Sequence, residues 1–369
     1  MAREEGIGLA MSGGGFRASL FHLGSLWRLN ELGYLRQLTR ICSVSGGSIV
    51  SAYLGYKWDS LNFNGSQVAE NFEEQIVVPI RTFCSSTADT PAVLLGFLSP
   101  CSSAAEQLTK RYDRKLFEGA TLKDLPEEGK GPEFVIYSTN LNTGASVQLK
   151  RNSIWDYKIG EYPDADMSLA SAVTASSAFP PVFTPYIIKT DKKRWKKGKF
   201  AICFDNEKLR KRLILTDGGV YDNLGTEAVW DDFTTVLVSD AGAPLDITDS
   251  SFGLLSKMLR VLMITMEQVR SLRVRSLVDM YKKKECEGSY WGIATDIDRY
   301  KLDDPLLSSN KTTRSMKDVR TRLNAFSDEE QGQLINWGYA VTDAAMRKFV
   351  IQGGDKPTQW PVDKYRLDR

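Results

Sequence analysis

The sequence predicts an α/β fold on a mainly parallel central sheet. A short apolar run, Ile7 to Met11, stops at Ser12-Gly13-Gly14-Gly15. A helical pattern follows, with Leu20, Leu23, Leu26, Trp27 and Leu29 at helical spacing. A second run, Thr39 to Val44, stops at Ser45-Gly46-Gly47, and another helix begins with Ile49, Val50, Ala52 and Tyr53. Strand, glycine turn and helix therefore come twice within about fifty residues, the rhythm of a βαβα unit.

Further elements follow in order. Gly33 ends the first helix. Residues 57–126 lose the rhythm and read as a helical insertion, with an apolar patch at Val93, Leu94, Leu95, Phe97 and Leu98 suited to ordinary core packing or to a lid or an acyl channel. Strand signals resume at Phe134 to Tyr137, and Asn142-Thr143-Gly144 turns the chain into Ser146 to Leu149, a hairpin. The uncharged stretch between Asp166 and Lys189 is broken by Pro180, Pro181 and Pro185, so it predicts a buried helix end and an extended segment rather than a membrane span. Residues 189–212 read as a basic hairpin, either simply solvated or, with Trp195 at the interface, an anchor to anionic lipid. Arg212 to Thr216 is a buried strand ending at Asp217-Gly218-Gly219, and Val236 to Val238 is another. Leu254 to Lys284 reads as a long, basic, amphipathic helix. No linker or repeat interrupts the chain. One domain over 1–350 is expected, with a C-terminal helical part at 252–350 and a tail at 351–369.

Composition narrows the chemistry. Among 369 residues there is a single histidine, which excludes multi-histidine metal sites and leaves a Ser-His-Asp triad one candidate imidazole. No metal or organic cofactor is called for. The formal net charge of +2 carries no nucleic-acid signature. The five cysteines form no C-x-x-C pair. The start M-A-R-E-E-G is unlike an export signal, so free thiols and a cytoplasmic setting are expected, with peripheral contact to the inner face of a membrane.

Three glycine turns carry the candidate chemistry. In Ser43-Val44-Ser45-Gly46-Gly47 a strand runs straight into a helix, which presents Ser45 at the apex as in a nucleophile elbow. Gly46 can offer its N–H to an oxyanion, and Gly47 lets helix and strand approach. Ser43 stands where the elbow pattern has glycine; small size is what that position needs. The same residues also suit an ordinary turn and helix N-cap. Gly13, Gly14 and Gly15 can aim backbone N–H groups at an anion. Gly13-x-Gly15-x-x-Ala18 also satisfies a dinucleotide fingerprint, but no acid ends the second strand and no Walker lysine follows. A base for Ser45 is needed. His22 precedes it on the first helix and reads as a packed residue. Asp217 ends a buried strand, and the C-terminal ends of parallel strands share one crevice.

Ser12 to Arg17 (SGGGFR), Ser43 to Ser48 (SVSGGS), Asp217 to Gly219 (DGG) and Ala175 to Phe183 (ASSAFPPVF) together resemble the signature blocks of patatin-like phospholipases, in order over about the first 240 residues. The resemblance implies a three-layer α/β sandwich and a lipid acyl hydrolase. Ser45 would be the nucleophile, Asp217 the base, and Gly13, Gly14 and Gly15 the oxyanion hole. Arg17 would hold the loop or a phosphate, with Gly46, Gly47, Gly218 and Gly219 in support. The substrate would be a membrane lipid or another acyl ester. Two alternatives stand beside it: a dinucleotide-binding protein, and a non-catalytic module of the same fold.

Overall fold

The computed structural model describes residues 3–86, 104–181, 183–245, 247–249 and 253–368. The patch Val93 to Leu98 lies outside the described residues. Ten strands make one sheet: β1 (Glu4–Met11), β2 (Arg40–Val44), β3 (Glu133–Asn140), β4 (Ala145–Leu149), β5 (Ser153–Asp156), β6 (Gly160–Pro163), β7 (Tyr186–Lys189), β8 (Arg212–Asp217), β9 (Phe233–Asp240) and β10 (Glu287–Gly292). The order is β10-β9-β1-β2-β3-β4-β5-β6, with β8 paired to β3 and β7 to β8. From β10 to β3 every neighbouring pair is parallel. The remaining pairings are antiparallel.

The parallel strands are apolar on both faces because helices and loops cover both. One face carries Leu9, Met11, Ile41 and Ile136; it packs on α1 (Gly15–Glu31), α2 (Gly46–Lys57) and, in the same core, the helix Asp328–Ala345. The other carries Ala10, Cys42, Val44, Val236 and Val238, under Leu224, Val229, Leu277 and Met280. Helix, sheet and helix form the expected three layers. The insertion contributes α3 (Val78–Cys84) and α4 (Ala104–Tyr112). The uncharged stretch holds α5 (Leu169–Ser177), capped by Ser168 Oγ accepting from Ser171 N, a turn at Pro180 and Pro181, and β7 at its end. Short helices α6 (Glu207–Lys211) and α7 (Gly219–Asp222) precede the long α8 (Leu254–Lys282), followed by α9 (Lys311–Ser315) and α10 (Asp328–Ala345). No helix of the described residues is long and apolar enough to cross a membrane.

Three expectations change. The part after residue 252 is not only helical, because β10 extends the parallel sheet. Its short, polar stretch E-G-S-Y-W-G gave no strand signal; pairing with β9 supplies it. The tail is not free: Trp360, Val362 and Leu367 are buried, and Asn336 Nδ2 of α10 donates to the carbonyls of Val362 and Tyr365. Trp195 does not face lipid. It is 4% exposed, stacks on Tyr162 and donates its indole N–H to Arg210 O at 2.8 Å. An indole whose N–H has an internal acceptor can be buried.

α10 fixes the helix that carries the first glycine turn. Arg28 of α1 forms a buried ion pair with Asp343 of α10 at 2.7 Å, and Arg347 lies 3.3 Å from the same carboxylate. Removing one partner of such a pair leaves a buried charge unmatched and costs about 3–5 kcal/mol.

Candidate active site

The sheet brings Ser45 and Asp217 together by a route that the sequence reading did not foresee. Asp217 does not end a parallel strand. β2 stops at Val44, opposite Tyr137 of β3. At the next rung, Ser138, the partner of β3 becomes Asp217 of β8, which arrives antiparallel. β2 and β8 thus meet end to end along one side of β3, and their junction places Ser45 beside Asp217.

Ser45 stands at the strand-to-helix turn with φ 50° and ψ −118°. A side chain at positive φ is strained by about 1–3 kcal/mol and persists only where the surroundings enforce it. Here they do. Ser45 N–H donates to Ser176 Oγ at 2.8 Å. Ser176 Oγ shares a 3.0 Å bond with Ser48 Oγ, which donates to Ser43 Oγ at 3.1 Å. The serine that replaces the usual glycine therefore anchors the turn. A Cβ on Gly46 would lie 2.0 Å from Gly15 O, and one on Gly47 2.6 Å from Ser12 O, so only glycine lets the two turns touch. Ser45 itself is half-buried, within reach of a substrate.

Asp217 is buried, with Oδ1 accepting from Gly219 N–H at 2.7 Å. Its backbone is pinned as well. Asp217 N–H donates to Ala178 O at 3.1 Å, and its carbonyl accepts from Thr139 Oγ1 at 2.9 Å. Burial pushes its carboxyl up to about 6; the Gly219 N–H and the facing Ser45 hydroxyl pull in the opposite direction without cancelling that effect. A carboxylate so placed is a far better base near neutral pH than a solvated one.

The glycine loop sorts by partner. Gly13 N–H donates to Asn223 O at 3.1 Å and is not available to an oxyanion. Gly14 (φ 142°) and Gly15 (φ 58°) hold the left-handed backbone that turns the loop toward the elbow. Among the described residues no acceptor in the chain takes their N–H groups. Arg17 is buried, and its guanidinium donates to the carbonyls of Lys317, Val319 and Ala241 at 2.9, 2.8 and 2.7 Å. It ties the loop to the end of β9. Phe16 N–H at the start of α1 donates to Arg322 O, and a Cβ on Gly15 would meet Thr321 O at 2.0 Å. Carbonyls thus fill the place that a dinucleotide pyrophosphate would need, and that alternative falls.

His22 is fully buried, and its pKa is lowered to about 4 chiefly by that burial. Nε2 lies 2.9 Å from Ser12 O and Nδ1 2.8 Å from Ser239 Oγ. A carbonyl can only accept, so Nε2 carries the proton, and the imidazole is a neutral structural bridge. The described residues hold no group of three or more His, Cys, Asp or Glu that could bind a metal ion.

Two positions escaped the sequence reading. Asn223 receives the Gly13 N–H, and its Oδ1 sits where a Cβ on Gly13 or Gly219 would come within 2.5 Å. Ser176 holds the elbow; its signal was the block Ala175 to Phe183, recognised without a role. With Ser45 as the nucleophile that the resemblance implies, replacing Ser176 with alanine is expected to lower kcat about tenfold to a hundredfold with KM unchanged, because the Ser45 amide loses its acceptor and the apex loosens. Steady-state kinetics on a soluble ester checks this, and Ser176→Thr is expected to restore part of the loss.

The model of the family described as "Patatin-like phospholipase" matches residues 9–230, more than half of the chain. The chain belongs to the patatin-like phospholipase family. Comparison with curated proteins finds no match. Among solved structures, the patatin-like chain is similar to human GIVD cytosolic phospholipase A2, with a TM-score of 0.53 and 12% identity, over 92% of this chain and 58% of that one. The same human protein in complex with methyl gamma-linolenyl fluorophosphonate and terbium chloride gives a TM-score of 0.51 and 10% identity over the same shares. The patatin-like chain thus spans less than two thirds of the length of these structures. At such identities the likeness is one of fold: a mainly parallel sheet between helical layers.

Proposed function

We propose that this protein is a lipid acyl hydrolase of phospholipase A or lysophospholipase type, acting through Ser45 and Asp217. The observation that carries the reading is the half-buried serine, forced to positive φ at a strand-to-helix turn, facing a buried carboxylate whose pKa lies near 6. In the first step Ser45 Oγ attacks the ester carbonyl as its proton passes to Asp217. The N–H groups of Gly14 and Gly15, joined by that of Gly46, stabilise the oxyanion. Collapse expels the alcohol, which takes the proton from Asp217. Water then gives a proton to Asp217 and attacks the acyl-serine; collapse releases the fatty acid and returns the proton to Ser45. The partner is a membrane lipid or a related acyl ester, met by peripheral contact in the cytoplasm. The exposed Lys193, Lys196 and Lys199 favour an anionic surface.

A long-chain fluorophosphonate tests the dyad. It is expected to label Ser45, identified by peptide mass spectrometry, with a rate that rises with pH through about 6, because only the ionised Asp217 accepts the proton. Absence of labelling would favour the non-catalytic module. Labelling independent of pH between 5 and 7 would remove Asp217 from the role of base.

A further inference from the structure

The long helix α8 is half embedded and half bare. Its C-terminal part packs on the sheet: Leu277 and Met280 are buried, and Tyr281 donates to Val236 O at 2.6 Å. Towards its N-terminus, Arg273 pairs with Glu227 and Asp222, and Arg270 with Asp240. The partners climb β9 from Val236 to its last residue, Asp240. That residue lies on the edge where β2 ends and Ser45 begins, since Ser239 is level with Met11, and Met11 with Ser43. The part of α8 before Arg270 therefore runs about 24 Å beyond that edge, at 1.5 Å per residue.

This projecting half exposes large apolar side chains to water. Leu254, Met258 and Val261 are 79%, 63% and 63% exposed. Their spacing puts them on one stripe, continued by Leu272. The exposed Lys257 lies beside the stripe, and no acidic residue occurs between Gly253 and Met266. Elsewhere on the surface, Phe200 and Ile202 are 63% and 81% exposed beside Lys199. They belong to the connection between β7 and β8.

We propose that the projecting half of α8 is a docking surface for an anionic lipid bilayer, inserting Leu254, Met258 and Val261 among the acyl chains with Lys257 at the headgroups. The proposal rests on the lipid-hydrolase reading, since the docked helix would hold the Ser45 edge against the surface that supplies the ester. Charge selects this occupant. Two copies of the helix laid together would oppose like charges, whereas anionic headgroups match them.

The test uses the full chain carrying Ser45→Ala, so that lipid is not consumed, and flotation with phosphatidylglycerol–phosphatidylcholine vesicles. Binding is expected at low salt, to weaken as salt rises, and to be at least about tenfold weaker to pure phosphatidylcholine. Met258→Ser/Val261→Ser is expected to weaken binding to the mixed vesicles about tenfold or more. With Ser45 intact, the same double variant is expected to hydrolyse a short soluble ester like wild type, which shows that it is folded. Parent-like binding by the double variant, or no binding by the parent at low salt, would overturn the proposal. So would sedimentation showing that the substitutions dissolve a dimer, since a second copy would then cover the stripe. If wild type turns over no ester while binding follows the expected pattern, the hydrolase reading fails and the docking surface stands.

Discussion

Ser45→Ala is expected to lower release of fatty acid from mixed phospholipid vesicles by at least about a thousandfold, a rise of roughly 4 kcal/mol in the barrier. The alcohol that would carry the acyl group is lost, and the neighbouring hydroxyls of Ser43, Ser48 and Ser176 are buried and bonded to one another. The fold should not change. Alanine at φ 50° bears the strain that serine bears, and the interactions that enforce the turn belong to the Ser45 amide and to Ser43, Ser48 and Ser176 rather than to the Ser45 hydroxyl. The measurement is product analysis by mass spectrometry, wild type against variant, with thermal unfolding of both. Equal release from the two proteins would refute the serine mechanism. Loss of release together with a lower melting temperature would point to an elbow that serves the fold.

Asp217→Asn is expected to separate activity from stability. Turnover should fall about a thousandfold, because an amide cannot take the Ser45 proton. Stability should rise at neutral pH. The folded-state pKa of Asp217, about 6, lies above the ordinary value of 3.8, so the folded protein holds this proton more tightly than the unfolded chain. The group thus opposes folding progressively as pH rises from about 4 to 6, and the full cost stands above that window. A shift of about two pH units corresponds to roughly 3 kcal/mol. Asparagine avoids the cost and can still accept from Gly219 N–H. Thermal melts of both proteins at pH 4 and pH 8 check this. The variant should melt higher at pH 8, and the gap should close near pH 4. A variant less stable at pH 8 would mean that the carboxylate is held by contacts stronger than its burial penalty.

Much of the architecture could be read because the signals are local. Two strand-glycine-helix passages lie within the first sixty residues, and their apolar runs and turns need no distant partner to be recognised. Ser45 was legible for the same reason: the elbow is a property of contiguous residues. β10 was not legible, since Glu287–Gly292 becomes a strand only by adding to β9. The basic segment misled at Trp195, because composition shows an aromatic among lysines but not the Arg210 carbonyl that lets the indole turn inward.

The sequence by itself determined the α/β class and the order of the glycine turns, and the family resemblance singled out Ser45 and Asp217 as the residues to pair. Each depends on neighbours in the chain, where backbone preference and apolar spacing act. Only the tertiary structure decided how the two meet, by β8 arriving antiparallel at the end of β2. It also decided that Gly13 N–H is occupied, that Arg17 is a strut, that Ser176 holds the elbow, and that half of α8 stands bare beyond the catalytic edge. These depend on which distant atoms come within hydrogen-bond reach and which side chains lose their water, and the packed chain alone sets both.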